Sequence, residues 1–235
     1  MRIAEIYASL QGEGLLAGTP SVFVRTSGCN LRCIWCDTPF TSWQPEGSDW
    51  PVAAVVDRVL ALGGRHVVVT GGEPLITAAT TDLCIRLRAA GWHVTIETAG
   101  TVLPARAAPA VADLMSISPK LASSAPPAST PGGWRERHEA TRRRDDVLLG
   151  LLEAPAQLKF VIDTPADFTA AAHWIADLRA AGGTFADRRV FMMPQGRDPD
   201  ALDRTGTWLE AACRDSGFQF APRHHIAWYG NTRGT

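Results

Sequence analysis

Residues 21–37 read SVFVRTSGCNLRCIWCD, and this stretch decides the fold and the chemistry that the sequence predicts. Its first six residues are mostly apolar or β-branched, which is typical of a buried strand. Directly after them come Cys29, Cys33 and Cys36, which are separated by three and by two residues. A tight loop turns three thiolates at this spacing toward one small metal cluster. The sequence therefore predicts a strand that ends in a three-cysteine metal site.

The number of cysteines distinguishes the possible kinds of metal site. A structural zinc site and an electron-transfer 4Fe-4S site both use four protein ligands, and no fourth cysteine or nearby histidine stands at a suitable spacing. Three thiolates leave one iron of a 4Fe-4S cluster free to bind a substrate or a cofactor. Two non-catalytic alternatives stay open: an iron-sulfur protein, and a zinc protein completed by a distant histidine such as His93 or His225.

Short apolar runs alternate with amphipathic stretches on both sides of this loop. Strands are predicted over 21–26, 66–70, 93–97, 114–117, 158–162 and 190–193, and helices over 52–62, 78–90, 165–181 and 199–216. Such alternation predicts right-handed βαβ units and a mostly parallel sheet. We therefore expect an α/β fold, an incomplete (β/α) barrel of about six mostly parallel strands with helices on the outside.

The chain is long enough for one domain, and we expect residues 1–235 to form it. Within that domain, the segment 121–135 is rich in Pro, Ser and Ala and predicts a flexible insertion, and the arginines near and after its end predict a solvated helix face. The last residues, 221–235, contain an apolar run that predicts a final strand. We expect this tail to close the site.

Composition excludes several classes of function. The formal net charge is -1, so nothing predicts binding to nucleic acid, and no stretch approaches the ~20 apolar residues of a membrane helix. The odd number of cysteines suits a metal site in a reducing compartment, which predicts a cytoplasmic location. Cys84 and Cys213 stand in helical patterns and are expected in the core.

Polar and glycine-rich loops follow the predicted strands, where the ligand crevice of a parallel sheet lies. The residues concerned are Gly71, Gly72, Glu73, Glu97, Thr98, Ser118, Lys120 and Gln195. Because the carboxyl ends of parallel strands meet at one edge, we expect these residues to surround one site. Lys159 places a charge inside an apolar strand, so it requires either a buried ion-pair partner or a ligand.

The cysteine spacing, with Trp35 before the last cysteine and the Gly-Gly-Glu-Pro turn at 71–74 after the next strand, resembles the radical S-adenosylmethionine superfamily. The resemblance implies a 4Fe-4S cluster whose open iron binds S-adenosyl-L-methionine. An electron then cleaves the cofactor to methionine and a 5′-deoxyadenosyl radical, which abstracts a hydrogen from the substrate. Gly71, Gly72 and Glu73 would receive the methionine amino group, and the cofactor would also contact Ser118, Lys120 and Gln195.

Further motifs narrow the resemblance. These are IYASLQGEG at 6–14, FVR at 23–25, CDTP at 36–39, ET at 97–98, SPK at 118–120 and HIAWYGNTRG at 225–234. Together they resemble the family of 7-carboxy-7-deazaguanine synthases. That family converts 6-carboxy-5,6,7,8-tetrahydropterin to 7-carboxy-7-deazaguanine with loss of ammonia, on the route to queuosine. The resemblance further implies a reducing partner such as flavodoxin or ferredoxin, and a homodimer.

Several side chains suit such a substrate. The carboxylate of Glu13 accepts paired hydrogen bonds from a pterin edge, and Gln11 supplies complementary amide groups. Arg25 would bind the substrate carboxylate in bidentate fashion, with a surface ion pair as its alternative role. Glu97 and Thr98 are expected to hydrogen-bond the substrate, and His225 to contact the substrate or act near a metal ion.

The resemblance also implies a magnesium ion, with the Thr38 hydroxyl as a ligand and Asp37 nearby. Few oxygen ligands, supplemented by substrate and water, fit Mg²⁺, although the residues alone would predict only a turn. One rival within radical chemistry is an activating enzyme for glycyl-radical proteins, which shares the cysteine spacing. Such an enzyme has no need of the motif at 11–14 or of the histidine-containing tail.

Overall fold

The computed structural model describes residues 1–235, and one open sheet of nine strands forms its centre. The strands are β1 Arg2–Leu10, β2 Pro20–Thr26, β3 Ser48–Asp49, β4 His66–Gly71, β5 His93–Thr98, β6 Leu114–Ile117, β7 Ala156–Ile162, β8 Val190–Pro194 and β9 Gln219–Phe220. Their order across the sheet is β3-β1-β2-β4-β5-β6-β7-β8-β9. Because β3 and β9 form separate edges, the barrel is incomplete, as predicted.

The six predicted strands are β2 and β4 to β8, and all of them are confirmed. Every pairing from β2 through β9 is parallel, whereas β1 pairs antiparallel with both β2 and β3. The prediction omitted β1, β3 and β9. In β1 only Ile3 is fully buried, so this antiparallel strand near the sheet edge lacks the continuous apolar run of the central strands.

Helices connect the strands. They are α1 Pro39–Ser42, α2 Val52–Leu62, α3 Ala78–Ala89, α4 Ala108–Val111, α5 Trp134–Arg142, α6 Asp145–Leu151, α7 Pro165–Ala180, α8 Pro199–Ser216 and α9 His224–Tyr229. The four long predicted helices correspond to α2, α3, α7 and α8, and each agrees to within one residue. At α7 a capping box fixes the start, since Thr164 and Asp167 satisfy each other's backbone N–H groups.

The core lies between the sheet and these helices. Val67, Val68 and Val69 in β4 are wholly buried, so both faces of this strand are covered. Cys84 of α3 and Cys213 of α8 belong to the same core, as their helical spacing predicted. This packing fixes the sheet and leaves the loops at the carboxyl ends of the strands to form the site. None of the helices combines the length and the apolar composition that a membrane span requires.

Two segments differ from the sequence-based expectation. The predicted final strand at the chain end is wrong, because residues 224–229 form α9, anchored by the buried side chains of Arg223 and Ile226 at helical spacing. The segment predicted as an insertion begins with a 3-10 turn, Ala122–Ser124, in which Ser124 is fully buried. The beginning of this segment therefore packs into the fold, whereas residues 127–133 are mostly exposed.

Candidate active site

A cavity of about 520 Å³ opens at the carboxyl ends of the parallel strands. The predicted residues that line it are Gln11, Glu13, Arg25, Cys29, Cys33, Cys36, Asp37, Thr38, Gly71, Gly72, Glu97, Thr98, Ser118, Lys120 and His225. Two predicted residues, Glu73 and Gln195, are not among its lining residues. The topology thus brings both chain ends and the strand-end loops to one place, as expected for a parallel sheet.

The three cysteines of the loop converge on this cavity. Cys29, Cys33 and Cys36 pack in one small apolar cluster with Leu31, Trp35 and Ala99. Burial raises the pKa of the Cys29 thiol to about 11 and that of Cys33 to about 12. A bound metal is therefore needed to keep these thiols ionised near neutral pH.

The donor set fits a cluster better than a single ion. A structural zinc site is closed by four protein ligands, whereas the cysteine loop supplies three thiols. No fourth cysteine lines the cavity. Three thiols around a shared space, without a fourth protein ligand, match a 4Fe-4S cluster with one open iron.

The Gly-Gly-Glu-Pro turn packs directly on the cysteine loop. A Cβ atom at Gly72 would lie 2.0 Å from the carbonyl oxygen of Gly28, so no larger residue fits there. The N–H of Glu73 donates to the same Gly28 oxygen at 2.9 Å. These contacts explain Gly72 by close backbone approach, and they place the turn beside the cysteine loop.

Glu73 itself is turned into the protein. Its carboxylate accepts hydrogen bonds from the N–H groups of Leu75 and Ala99, at 3.1 and 2.8 Å, and from the Thr98 hydroxyl at 2.8 Å. The side chain is fully buried, and this burial raises the pKa of Glu73. The Glu73 carboxylate and the Thr98 hydroxyl therefore brace two strand-end loops against each other.

A buried charged cluster also lines the cavity. Lys159 donates to Glu13, and the guanidinium Nε of Arg223 lies 3.2 Å from the other Glu13 oxygen. Although burial alone would raise it, the positive charges of Lys159 and Arg223 hold the pKa of Glu13 well below its usual range. His225 Nδ1 lies 3.7 Å from the same carboxylate. Glu13 is thus a fixed anion. Lys159 has a buried ion-pair partner in Glu13 and also lines the cavity, so both roles that the sequence suggested for it are compatible with its position.

Arg223 was not anticipated from the sequence. Only 6% of its surface is exposed, and its guanidinium donates to Asp37 at 2.5 Å and to the Gly196 oxygen at 2.6 Å, besides Glu13. It joins the start of α9 to the cysteine loop and to the loop after β1. The only hint in the sequence is its position directly before the two histidines.

Arg25 and Glu97 face the cavity with partners of their own. Arg25 Nε lies 2.7 Å from Glu5, and one Nη donates to the Tyr7 hydroxyl at 2.8 Å. Glu97 accepts from Gln11 at 3.1 Å and from the Thr70 hydroxyl at 2.9 Å. The Arg25 ion pair is mostly buried, with 16% of the side chain exposed, so it is not a surface pair.

The remaining predicted residues lie near the cysteine loop. The Thr38 hydroxyl accepts from the Thr41 hydroxyl at 3.1 Å, while Asp37 pairs with Arg223 and, at 3.5 Å, with Arg197. Lys120 Nζ donates to the carbonyl and to the hydroxyl of Ser118, at 2.8 and 2.7 Å.

The chain end contributes to the lining of the cavity. Gly12 leaves room for His225, since a Cβ there would lie 2.6 Å from the His225 Cβ, and the His224 N–H donates to the Gly12 oxygen at 3.0 Å. Farther along, Arg233 pairs with Glu5 at 3.0 Å and stacks on Phe40. Residues 231–235 all line the cavity.

Known proteins share this sequence and this fold. The model of the radical SAM superfamily matches residues 23–123. A 7-carboxy-7-deazaguanine synthase from Rhodopirellula baltica is 43% identical over 99% of this chain and 88% of its own length. The enzyme of that name from Halobacterium salinarum is 44% identical over 99% of this chain and 92% of its own length.

Solved structures agree with these relatives. The crystal structure of QueE from Escherichia coli has a TM-score of 0.66 and 26% identity, and the match covers 95% of this chain and 94% of that one. Streptococcus suis SuiB, at 14% identity and a TM-score of 0.56, shares the fold over 88% of this chain and 49% of its own. By its identity to curated relatives along nearly its whole length, the chain belongs to the family of 7-carboxy-7-deazaguanine synthases, radical S-adenosylmethionine enzymes.

Proposed function

We propose that this chain converts 6-carboxy-5,6,7,8-tetrahydropterin to 7-carboxy-7-deazaguanine with loss of ammonia. The observation that carries the proposal is that one cavity combines the three-cysteine loop with the buried charged cluster of Glu13, Lys159 and Arg223. Its volume of about 520 Å³ suits a small molecule, whereas an activating enzyme would need a groove for a protein loop.

The cysteine side of the cavity would hold the cofactors. Cys29, Cys33 and Cys36 supply three thiolates to a 4Fe-4S cluster, and Gly71 and Gly72 bring backbone close beside it. When bound, the cluster and S-adenosyl-L-methionine supply the radical that removes a substrate hydrogen. The chain positions these groups and excludes water from them.

We assign cofactor contacts to Ser118 and Lys120, whose ammonium lies on the cavity wall at the end of β6. Gln195 and the Glu73 carboxylate are not among the cavity-lining residues, and for Glu73 we propose that it supports the loops around the cofactor. Glu73 acts through the backbone N–H groups that it binds. Backbone oxygens of the glycine turn would then hold the cofactor ammonium.

The charged side of the cavity would bind the pterin. Glu13 stays ionised and has two oxygens with about four lone-pair sites, so it can accept substrate N–H groups in addition to its two cations. Gln11 and Glu97 are already hydrogen-bonded to each other, and they present an amide and a carboxylate beside it. Arg25 and His225 complete the substrate contacts, with Arg25 toward the substrate carboxylate.

A magnesium ion would sit where the substrate meets the cysteine loop. The Thr38 hydroxyl would be a ligand and Asp37 would act from outside the coordination sphere, because Asp37 is already paired with Arg223. One protein oxygen leaves several positions for substrate and water, which is the pattern that Mg²⁺ tolerates. Omitting Mg²⁺ should therefore raise the KM for the pterin before it affects cleavage of the cofactor.

The remaining partners follow from the same reaction. The cluster requires an external electron, for which we propose flavodoxin or ferredoxin. The cysteines must stay reduced, which supports a cytoplasmic location. The family resemblance supports a homodimer, which light scattering on the eluting protein would test.

Reconstitution tests the proposal. Reduced protein with iron, sulfide, S-adenosyl-L-methionine and the pterin should give the deazapurine carboxylate by mass spectrometry. Cys33→Ala should abolish product, with Cys84→Ala as the control, because Cys84 lies in the core away from the cavity. An untouched pterin, together with activation of a glycyl-radical protein, would show that the substrate assignment is wrong.

A further inference from the structure

The segment from residue 121 to the end of α5 lies against the cysteine loop. In the 3-10 turn, the carbonyl oxygen of Ser124 accepts the N–H of Ile34 at 2.9 Å. Ile34 stands between Cys33 and Cys36. One half of the cysteine loop is therefore held by a backbone hydrogen bond to a residue about ninety positions later in the chain.

His138 of α5 holds the other half of the loop. Its Nδ1 accepts the backbone N–H of Arg32 at 3.2 Å, and Arg32 stands between Cys29 and Cys33. Its Nε2 lies 2.9 Å from the Ser124 hydroxyl, which itself donates to the Leu121 oxygen at 2.6 Å. This chain of donors requires the neutral imidazole with its proton on Nε2. His138 and Ser124 are both fully buried.

The ring of Trp134 stacks on the side chain of the same Arg32. It lies one helical turn before His138, on the same face of α5. The Arg32 guanidinium carbon lies 3.8 Å from the centroid of the Trp134 ring, and Nη1 donates to the carbonyl oxygens of Cys29 and Leu31 at 2.9 and 2.8 Å. Helix α5 thus contacts Arg32 twice, through its backbone and through its guanidinium.

We propose that Ser124, Trp134 and His138 form a loop clamp, a set of positioning residues that gives the cysteine loop its cluster-binding shape before any cluster is present. One backbone N–H in each interval between the ligating cysteines, that of Arg32 and that of Ile34, is bonded to the clamp, so the loop cannot rotate freely. Iron-sulfur potentials respond to hydrogen bonds around the sulfurs, so the clamp also fixes which donors reach them. The inference rests on the proposed function only through the three-cysteine cluster.

Two substitutions of His138 separate positioning from simple packing. Asn places an acceptor close to the Nδ1 position and keeps the contact with Arg32, whereas Gln reaches Ser124 but leaves the Arg32 N–H without a partner. In the cluster-free protein, hydrogen exchange of the Arg32 amide should be at least about tenfold faster in His138→Gln, and little changed in His138→Asn. After reconstitution, His138→Gln should hold less iron and show an altered spin-resonance spectrum of the reduced cluster.

His66 provides a matched control, because it too is a buried histidine hydrogen-bonded to a serine hydroxyl, but at the other end of the sheet. His66→Gln should leave the Arg32 amide and the iron content unchanged.

If His138→Gln does not fold, Trp134→Leu at a half-buried position replaces it, with the same expected loss of amide protection and iron. Equal exchange and equal iron in His138→Asn and His138→Gln, or normal values in Trp134→Leu, would overturn the proposal. Neither exchange nor iron content depends on which substrate the enzyme uses.

Discussion

The two ends of the parallel sheet both bury polar side chains, but they do so differently. At the amino end His66 bonds the hydroxyls of Ser21 and Thr95, at 2.7 and 2.8 Å, and all three groups can be neutral. At the carboxyl end Glu13 and Lys159 are charged and line a cavity. In the neutral cluster the hydrogen-bonding groups pair with one another. In the charged cluster the Glu13 carboxylate lines the cavity and has lone pairs left for a ligand. Burial of polar groups alone therefore does not mark a site; charge beside a cavity does.

The energies of the two clusters should differ accordingly. A neutral buried hydrogen bond contributes about 0.5–1.5 kcal/mol to stability. Removing one partner of a buried ion pair costs about 3–5 kcal/mol, because the other charge stays buried without compensation. Substitutions at the carboxyl end should therefore have the larger effects on stability as well as on turnover.

Replacing Lys159 by Met should have the largest effect. It leaves the buried Glu13 with Arg223 as its remaining strong partner, so the free energy of unfolding should fall by about 3 kcal/mol, the lower end of the range for buried pairs. Turnover of the pterin should fall at least about a hundredfold, since a misplaced carboxylate also misplaces the substrate. Urea denaturation of the cluster-free protein and product formation by the reconstituted enzyme measure the two effects.

The double variant Lys159→Met with Glu13→Gln serves as the control, because it removes both charges. It should recover part of the lost stability without recovering activity. Ser21→Ala at the amino end should cost only about 1 kcal/mol and leave turnover unchanged. A loss in Lys159→Met no greater than that in Ser21→Ala would remove the proposed difference between the two ends.

Replacing Arg223 by Gln should have an intermediate effect. The variant loses the charge that links α9 to Glu13 and Asp37, and hydrogen bonds to charged groups contribute about 1.5–3 kcal/mol. We expect the KM for the pterin to rise about tenfold, with little change in binding of S-adenosyl-L-methionine. Steady-state kinetics and equilibrium binding of the cofactor distinguish the two.

Arg204→Gln, on the exposed face of the neighbouring helix α8, is the matched control and should behave like the unaltered enzyme. If Arg223→Gln weakens cofactor binding as much as pterin binding, Arg223 maintains the shape of the whole cavity and does not act on the substrate-binding residues alone.

The sequence predicted the central fold well because apolar residues recur at the positions that are buried in each strand and helix. The three consecutive valines of strand β4, Val67 to Val69, which are buried on both faces, are an example. The same rule failed for β1, where the antiparallel position leaves most residues partly exposed. It failed again for α9, where aromatic and β-branched residues favour a strand but anchoring through Arg223 and Ile226 produces a helix.

The site was predictable where topology alone decides it. Residues that follow parallel strands must meet, so Gly71 and Ser118 were placed together from the sequence. The direction of a side chain is decided by its neighbours, and no pattern indicated that Glu73 would turn inward to bind backbone N–H groups. The contact of His138 with the cysteine loop joins residues 106 positions apart, which spacing along the chain cannot reveal.

The smallest predicted effect concerns the neutral end of the sheet and its response to pH. Burial, reinforced by the nearby His93, lowers the pKa of His66 from 6.5 to about 4. Above pH 6.5 the imidazole is neutral in both the folded and the unfolded chain, so its full contribution to stability is present. Between pH 6.5 and about 4 the unfolded chain binds a proton that the folded protein does not, and the free energy of unfolding falls as the pH falls.

His66→Gln should therefore be less stable than the unaltered protein at pH 7 but should lose stability less steeply between pH 6.5 and 4. Some slope should remain, because burial also lowers the pKa of His138 to about 4. Urea denaturation of the cluster-free protein at several pH values measures both slopes. A variant whose stability falls as steeply as that of the unaltered protein would show that His66 takes up its proton while folded, and the amino end would then not be the neutral cluster that the comparison requires.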